Sequence, residues 1–304
     1  MADALSIKII EGLRSIPDWA QSKISISPLQ GGITNKNFIA TVDGEQFVVR
    51  IPGERTDVLG INRQNEAQAA KCAADLGIAP AVVGTLLGFD TLITKFVIGR
   101  HLTGNEFKSR LPEVIMLIKR FHNSASIHGV FPIHRIVEAH VSDAQKNGVT
   151  PPKLWESLHA VSTQIESAFA KTTNLLVPCH NDLLPTNVLF GEARTWLIDF
   201  EYAGINNAYF DLGNLSVNSE LDDAGDETLL TNYFGNVTKQ MWAKLQLMKI
   251  MSELREGLWA VVQQAISTLD TDFVSYADAR LTNCNRLATA PSFARLLEDA
   301  TSTS

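Results

Sequence analysis

His180-Asn181-Asp182-Leu183-Leu184-Pro185-Thr186-Asn187 is followed, twelve residues after Asn187, by Asp199 at the end of the apolar run Trp196-Leu197-Ile198. The surroundings read as strand, turn and strand: residues 187–190 and 195–200 are β-rich, and Gly191 to Arg194 make the turn between them. The short loop therefore lets Asp182, Asn187 and Asp199 converge. Any one of them alone is ordinary turn chemistry, since Asp and Asn both favour caps and turns. All three at this spacing, on a turn that follows a helical segment, supply the oxygens that phosphoryl transfer needs. A carboxylate at Asp182 can accept or orient the proton of an attacking hydroxyl. Asn187 and Asp199 offer hard oxygen ligands suited to magnesium, which takes few protein ligands and keeps phosphate oxygens and water for the rest. His180 is expected to hold the loop by hydrogen bonding.

Upstream, residues 3–15 put Leu5, Ile9 and Leu13 at helical spacing, and Pro17 ends the pattern. The period then shortens. Residues 23–29, 38–42 and 46–51 alternate or run apolar, separated by Gly31-Gly32 and Asp43-Gly44, which predicts a three-stranded meander. An Ala-rich helix over 62–76 stops at Gly77, and Pro80 leads into two more strands, 81–86 and 91–97. Gly99 marks a crossover, beyond which helical periodicity returns at 113–121, 153–171, 238–267 and 272–287. The expected fold is α+β and bilobal. Residues 1–97 form an N-terminal lobe of antiparallel sheet with a helix, and residues 98–304 form a mostly α C-terminal lobe.

With 304 residues, 45% of them hydrophobic, the chain can bury one large core or two ordinary ones, which suits two lobes. A net charge of -7 and a pI near 5.5 give no general attraction to nucleic acid or an anionic membrane, and no run of Lys and Arg makes a local patch. Cys72, Cys179 and Cys284 are scattered, odd in number and without metal-ligand spacing, so reduced thiols are expected. Asp3, Lys8 and Glu11 interrupt the start where a signal peptide would be apolar. Nowhere do about eighteen apolar residues run together, so a cytoplasmic protein is expected, its oligomeric state left open.

Six pieces carry a family resemblance: Gly31-Gly32-Ile33-Thr34-Asn35-Lys36-Asn37-Phe38, Val48-Val49-Arg50-Ile51-Pro52-Gly53, His180 to Asn187, Ile198-Asp199-Phe200-Glu201-Tyr202-Ala203-Gly204, Phe210-Asp211-Leu212-Gly213-Asn214 and Leu258-Trp259-Ala260-Val261-Val262-Gln263. Together they resemble the choline/ethanolamine kinase branch of the aminoglycoside-phosphotransferase-like fold, which is related to protein kinases. The resemblance runs over nearly the whole chain. It implies a protein-kinase-like fold and an enzyme that uses ATP and Mg2+ to phosphorylate the hydroxyl of choline, ethanolamine or a similar amino alcohol. It further implies that the loop from Gly31 to Asn37, with Gly32, Thr34 and Asn35, covers the ATP phosphates, glycine allowing close backbone approach. Arg50 stands where most kinases carry lysine, and choline kinases resemble this sequence in using arginine there. It would bind phosphate oxygens and pair with Glu66 on the following helix. On the resemblance alone, adenine would lie against the crossover at Phe96 to Ile98, and Asp211 and Asn214 would brace the catalytic loop.

A cationic head group needs aromatic faces and a balancing carboxylate. Trp259, Tyr276 and Tyr209 can supply faces, and Glu201, Glu220 and Glu256 can supply charge. Glu256 and Trp259, three apart, share one side of a helix. Two positions depart from the family pattern: Asn218 stands where choline kinases place a carboxylate, and Glu256 where they place an aromatic residue. Glu256 or Glu220 is then expected to replace the missing acid. The same machinery on this fold also serves aminoglycosides, sugars and other metabolite alcohols. An inactive nucleotide-binding module is the contrasting reading, and retention of Asp182, Asn187 and Asp199 argues against it. No Ala-Pro-Glu closes an activation segment, which argues against a protein kinase.

Overall fold

The structure is a computed structural model that describes residues 4–29, 35–52, 55–89, 91–124 and 127–302. Helix α1 (Ala4–Arg14) buries Ile9 and Leu13, the face that the spacing predicts. Strands β1 (Ile24–Leu29), β2 (Asn35–Val42) and β3 (Glu45–Pro52) then run antiparallel. The β2–β3 turn is tight because Asp43 and Gly44 both take left-handed φ angles, 49° and 93°. Helix α2 (Arg63–Asp75) starts beneath Asn62, whose side chain accepts from the Gln64 and Asn65 N–H groups, and the chain leaves it through Gly77 at φ 68°. Strands β4 (Val82–Leu86) and β5 (Thr91–Lys95) complete a five-stranded sheet in the order β1-β2-β3-β5-β4.

Alternation along the sheet decides which side chains face the cleft. Phe38, Ala40 and Val42 on β2 and Phe47, Val49 and Ile51 on β3 form one core with Ile9, Leu13, Leu86 and Ile93. Val48 and Arg50, out of phase with that set, turn to the opposite face, where the second lobe lies.

The remainder comprises α3 (Gly104–Ser109), α4 (Leu111–His122), α5 (Ile133–Lys146), α6 (Trp155–Ala170), β6 (Leu176–Cys179), β7 (Val188–Phe190), β8 (Thr195–Leu197), β9 (Gly204–Asn207), α7 (Ala208–Asn218), α8 (Asp223–Phe234), α9 (Lys239–Ile266), α10 (Phe273–Ala288) and α11 (Phe293–Thr301). The bilobal α+β expectation and its long helices are met. Helices α3, α5, α7, α8 and α11 add to those expected from periodicity; α7 carries Asp211, Asn214 and Ser216 on buried positions, which blurs its apolar stripe. Helix α9 is the axis of this lobe and packs against α5, α7, α10 and α11. Every residue from Ile250 to Gln263 is buried, as expected for a helix enclosed on all sides. Ala69, Ala70 and Ala73 of α2 join this larger core rather than that of the sheet, so α2 ties the lobes together. Each fully buried Leu, Ile or Phe contributes roughly 1.5–3 kcal/mol, more than an exposed ion pair supplies. Among the described residues no helix is long and apolar enough to cross a membrane.

Candidate active site

Two small ribbons hold the loop of residues 180–187. Strand β6 pairs with β9 and β7 with β8, both antiparallel, so residues 180–187 are pinned at each end. Asn181 takes φ 63°, a conformation tolerated by asparagine when its side chain is satisfied locally. Its Nδ2 donates to the Tyr202 carbonyl at 3.0 Å, and its Oδ1 accepts from Asn206 Nδ2 at 2.9 Å. The buried Asp211 carboxylate accepts from the backbone N–H of His180 at 2.8 Å and of Asn181 at 2.7 Å, and from His122 Nε2 at 2.9 Å. Asn214 accepts from Leu183 N–H at 2.5 Å and donates to Ser252 at 3.0 Å. His180 Nε2 donates to the Ile198 carbonyl at 2.9 Å, and its ring packs at a tilt against Phe200, joining the loop to the strand that precedes Asp199. Loop geometry therefore rests on side chains delivered by α4, α7 and α9.

Asp182, Asn187 and Asp199 come together as the spacing requires. Asn187 Nδ2 donates to the Asp182 carbonyl at 2.8 Å and to Oδ2 at 3.2 Å, which leaves Asn187 Oδ1 as its remaining acceptor. Burial pushes the Asp182 carboxyl up to about 7, against the pull of Arg255. Asp199, at φ 71°, is bonded by Arg50, and burial pushes its carboxyl up to about 8 against the pull of that guanidinium. Asn187 and Asp199 both line one cavity of about 460 Å³ between the sheet and the helical lobe. A hard divalent cation fits this donor set: Asn187, with its amide oxygen unspent, and the Asp199 carboxylate line the same cavity, and both are oxygen donors.

The same cavity is lined by Arg50, Glu66, Ala79, Phe96 and Leu197. Burial works against the charge of Arg50, yet Asp199 and Glu201 together drive its pKa upward. Thr91 bonds the Arg50 carbonyl and so fixes the strand position. Glu66 accepts from Arg63 at 2.6 Å and adds its field to that acting on Arg50, whose hydrogen bonds run to Asp199 and, at 2.8 Å, Glu201. Glu66 thus acts on Arg50 through its field, and a shared network runs through Glu201, which Arg63 also approaches at 3.7 Å. Phe96 lies on the lining, whereas the Ile98 side chain is 84% exposed and off it. Asn35 opens β2 opposite Pro52; Gly32 and Thr34 lie outside the described residues.

Beyond Asp182, away from this cavity, lies an aromatic group. Trp259 Nε1 donates to the Tyr202 hydroxyl at 3.0 Å, and the Trp259 ring meets Phe273 and Tyr276 edge to face. Tyr276 donates to Glu256 Oε2 at 3.1 Å. Glu256, Trp259 and Tyr276 are therefore brought together as expected. Glu201 instead joins the Arg50 network. Glu220 is exposed and makes no hydrogen bond or ion pair with the aromatic group among the described residues, its carbonyl accepting from Lys108. Tyr209 stacks on Phe234, elsewhere in the lobe.

Sequence reasoning missed Tyr202 and Arg255. Arg255, 1% exposed, donates through Nη1 to Asp182 Oδ1 at 3.1 Å and to Glu256, with its guanidinium 4.3 Å from the Tyr202 ring centre. The available signal was Glu253, Arg255 and Glu256 crowded between Ile250-Met251 and Gly257-Leu258-Trp259. Charged residues inside an all-apolar helix must find buried partners.

The phosphotransferase enzyme family matches residues 25–248. Protein LicA of Haemophilus influenzae is 28% identical over 264 residues, covering 83% of this chain and 76% of LicA. Mouse ethanolamine kinase 2 is 25% identical, covering 90% of this chain and 78% of that enzyme. A choline/ethanolamine kinase family protein from Mesorhizobium loti superposes with a TM-score of 0.81 at 30% identity, over 98% of this chain and 99% of that one.

Proposed function

The chain belongs to the phosphotransferase enzyme family, in its choline/ethanolamine kinase branch, and on that premise we propose that it transfers the γ-phosphate of ATP to the hydroxyl of a small amino alcohol. The carrying observation is the position of Asp182. Its carboxylate lies between the nucleotide-sized cavity, reached through Asn187, and the aromatic group, reached through Arg255. An acceptor hydroxyl on the aromatic side would present its proton to Asp182. The bond from that oxygen to phosphorus forms as the bond to the β,γ-bridging oxygen breaks, and ADP leaves. A carboxyl held near neutrality by burial suits proton acceptance at physiological pH. Arg50 is charged and directed at the cavity, where phosphate oxygens would lie.

Asn187 and Asp199 would hold Mg2+, which when bound neutralises phosphate charge as the transfer proceeds. The three cysteines are unpaired, in keeping with a cytoplasmic setting. Magnesium-dependent ADP release, measured with choline, ethanolamine, other amino alcohols, sugars and aminoglycosides, tests the reading. Asp182→Asn should lower turnover by about 10²–10⁴-fold, the usual contribution of a positioned acid or base, while ATP still binds. Full turnover by that variant, or stimulation only by sugars or aminoglycosides, would remove the assignment.

A further inference from the structure

A quaternary ammonium head has no N–H donors, so it is held by aromatic faces and by the field of nearby carboxylates. Here the chain's own guanidinium groups already engage both. Arg255 Cζ lies 4.3 Å from the centre of the Tyr202 ring, and Arg280 Cζ lies 5.2 Å from that of Tyr276. Arg255 also bonds Asp182 and Glu256, while Arg280 bonds Glu253 at 3.3 Å and Asn218 at 3.1 Å. The third aromatic residue, Trp259, spends its N–H on Tyr202 and meets Phe273 and Tyr276 edge to face.

What remains for a head group is hydrogen-bond acceptance. Asp182 and Glu256 carry two formal negative charges against the single positive charge of Arg255. That surplus sits on carboxylate oxygens, which a primary ammonium can address with three N–H donors and a trimethylammonium with none. Arg255 Nε and Nη2 are buried without a partner among the described residues. Water accompanying a small head group can satisfy them, whereas three methyl groups would leave both donors bare.

We infer that Arg255 and Arg280 are specificity-determining residues that set the acceptor site against quaternary-ammonium alcohols and in favour of primary-ammonium alcohols. The inference rests on the amino-alcohol kinase reading. Its test compares kcat/KM for ethanolamine and for choline, with ATP and magnesium, in the full chain and in Arg255→Gln and Arg280→Gln. Glutamine keeps a donor for Asp182 or Glu253 and removes the cation. The native protein should favour ethanolamine by about tenfold or more, and each variant should lower that ratio by about five- to thirtyfold, the span of a desolvated cation–π contact. The change should appear as a lower KM for choline. A general loss of folding or activity depresses both acceptors together and leaves the ratio where it was, so the ratio isolates specificity. Choline used as well as ethanolamine by the native protein, or a ratio unchanged in both variants, overturns the inference. If the native protein turns over neither acceptor, the underlying reading fails as well, which tells the two failures apart.

Discussion

His140 lies on α5, is buried, and has an Nδ1 without a partner among the described residues. Burial first, and then the field of Arg255, hold its pKa down to about 3 from an ordinary 6.5. The unfolded chain takes up this proton as pH falls below about 6.5, and the folded chain does not until about 3. Stability present above pH 6.5 is therefore lost on acidification, at about 1.4 kcal/mol per pH unit and about 2 kcal/mol by pH 5. Denaturant unfolding of the native protein and His140→Leu across pH 5–8 should show that increment in the native protein alone; parallel curves would rule it out. Residue-level reading of the sequence did well where partners are local and poorly where they are distant. The loop residues Asp182 and Asn187, five apart, were expected to converge, and a hydrogen bond joins them. Arg50 was assigned Glu66 on the next helix, whose field acts on it, but its bonds to Asp199 and Glu201, 149 and 151 residues on, were not foreseen.

Helix α7 crosses α9 at Gly213, in the Phe-Asp-Leu-Gly-Asn motif, and the crossing carries both loop-bracing residues. A Cβ at Gly213 would lie 2.8 Å from the Met248 carbonyl carbon and 2.9 Å from the Lys249 nitrogen, both backbone of α9. At Gly257, where α9 meets α10, the clash would be with Cγ and Cδ2 of Leu281, both at 2.7 Å, side-chain atoms rather than backbone. Gly213→Ala should therefore cost about 2–3 kcal/mol, the upper part of the overpacking range, and Gly257→Ala should cost less. Thermal unfolding of the two variants ranks them, and the reverse order would contradict the crossing geometry. Gly213→Ala should also lower kcat, because Asp211 and Asn214 move with α7. Strands β1 to β5 and helices α1, α2, α4, α6, α9 and α10 were read in advance, while the amphipathic α5 and α11 were missed. Helix α7 was missed as well, because its buried face carries hydrogen-bonding groups rather than apolar ones.

At the scale of the whole molecule, the main cavity takes Arg50 and Glu66 from the N-terminal side and Asn187 and Asp199 from the C-terminal side. A ligand filling it would bind the folded chain and not the unfolded one. A non-hydrolysable ATP analogue with magnesium, at about 100 times its Kd, should raise stability by about 2.7 kcal/mol. The magnesium-dependent part of that gain should vanish in Asp199→Asn. Unfolding measured with and without EDTA reads the increment, and an equal gain in both conditions would remove Asn187 and Asp199 from metal binding.

The sequence by itself determined the two-lobed α+β plan, the convergence of Asp182 with Asn187 and the place of Arg50 on the third strand, because these follow from periods of two or 3.6 and from short spacings. Only the tertiary structure decided that Glu201 belongs to the Arg50 network, that Glu220 stands apart, and that Arg255 lies between Asp182 and Glu256. Those facts depend on how strands and helices far apart in the chain pack together. A buried charge is assigned its partner by that packing, since its field is strong only where water has been excluded.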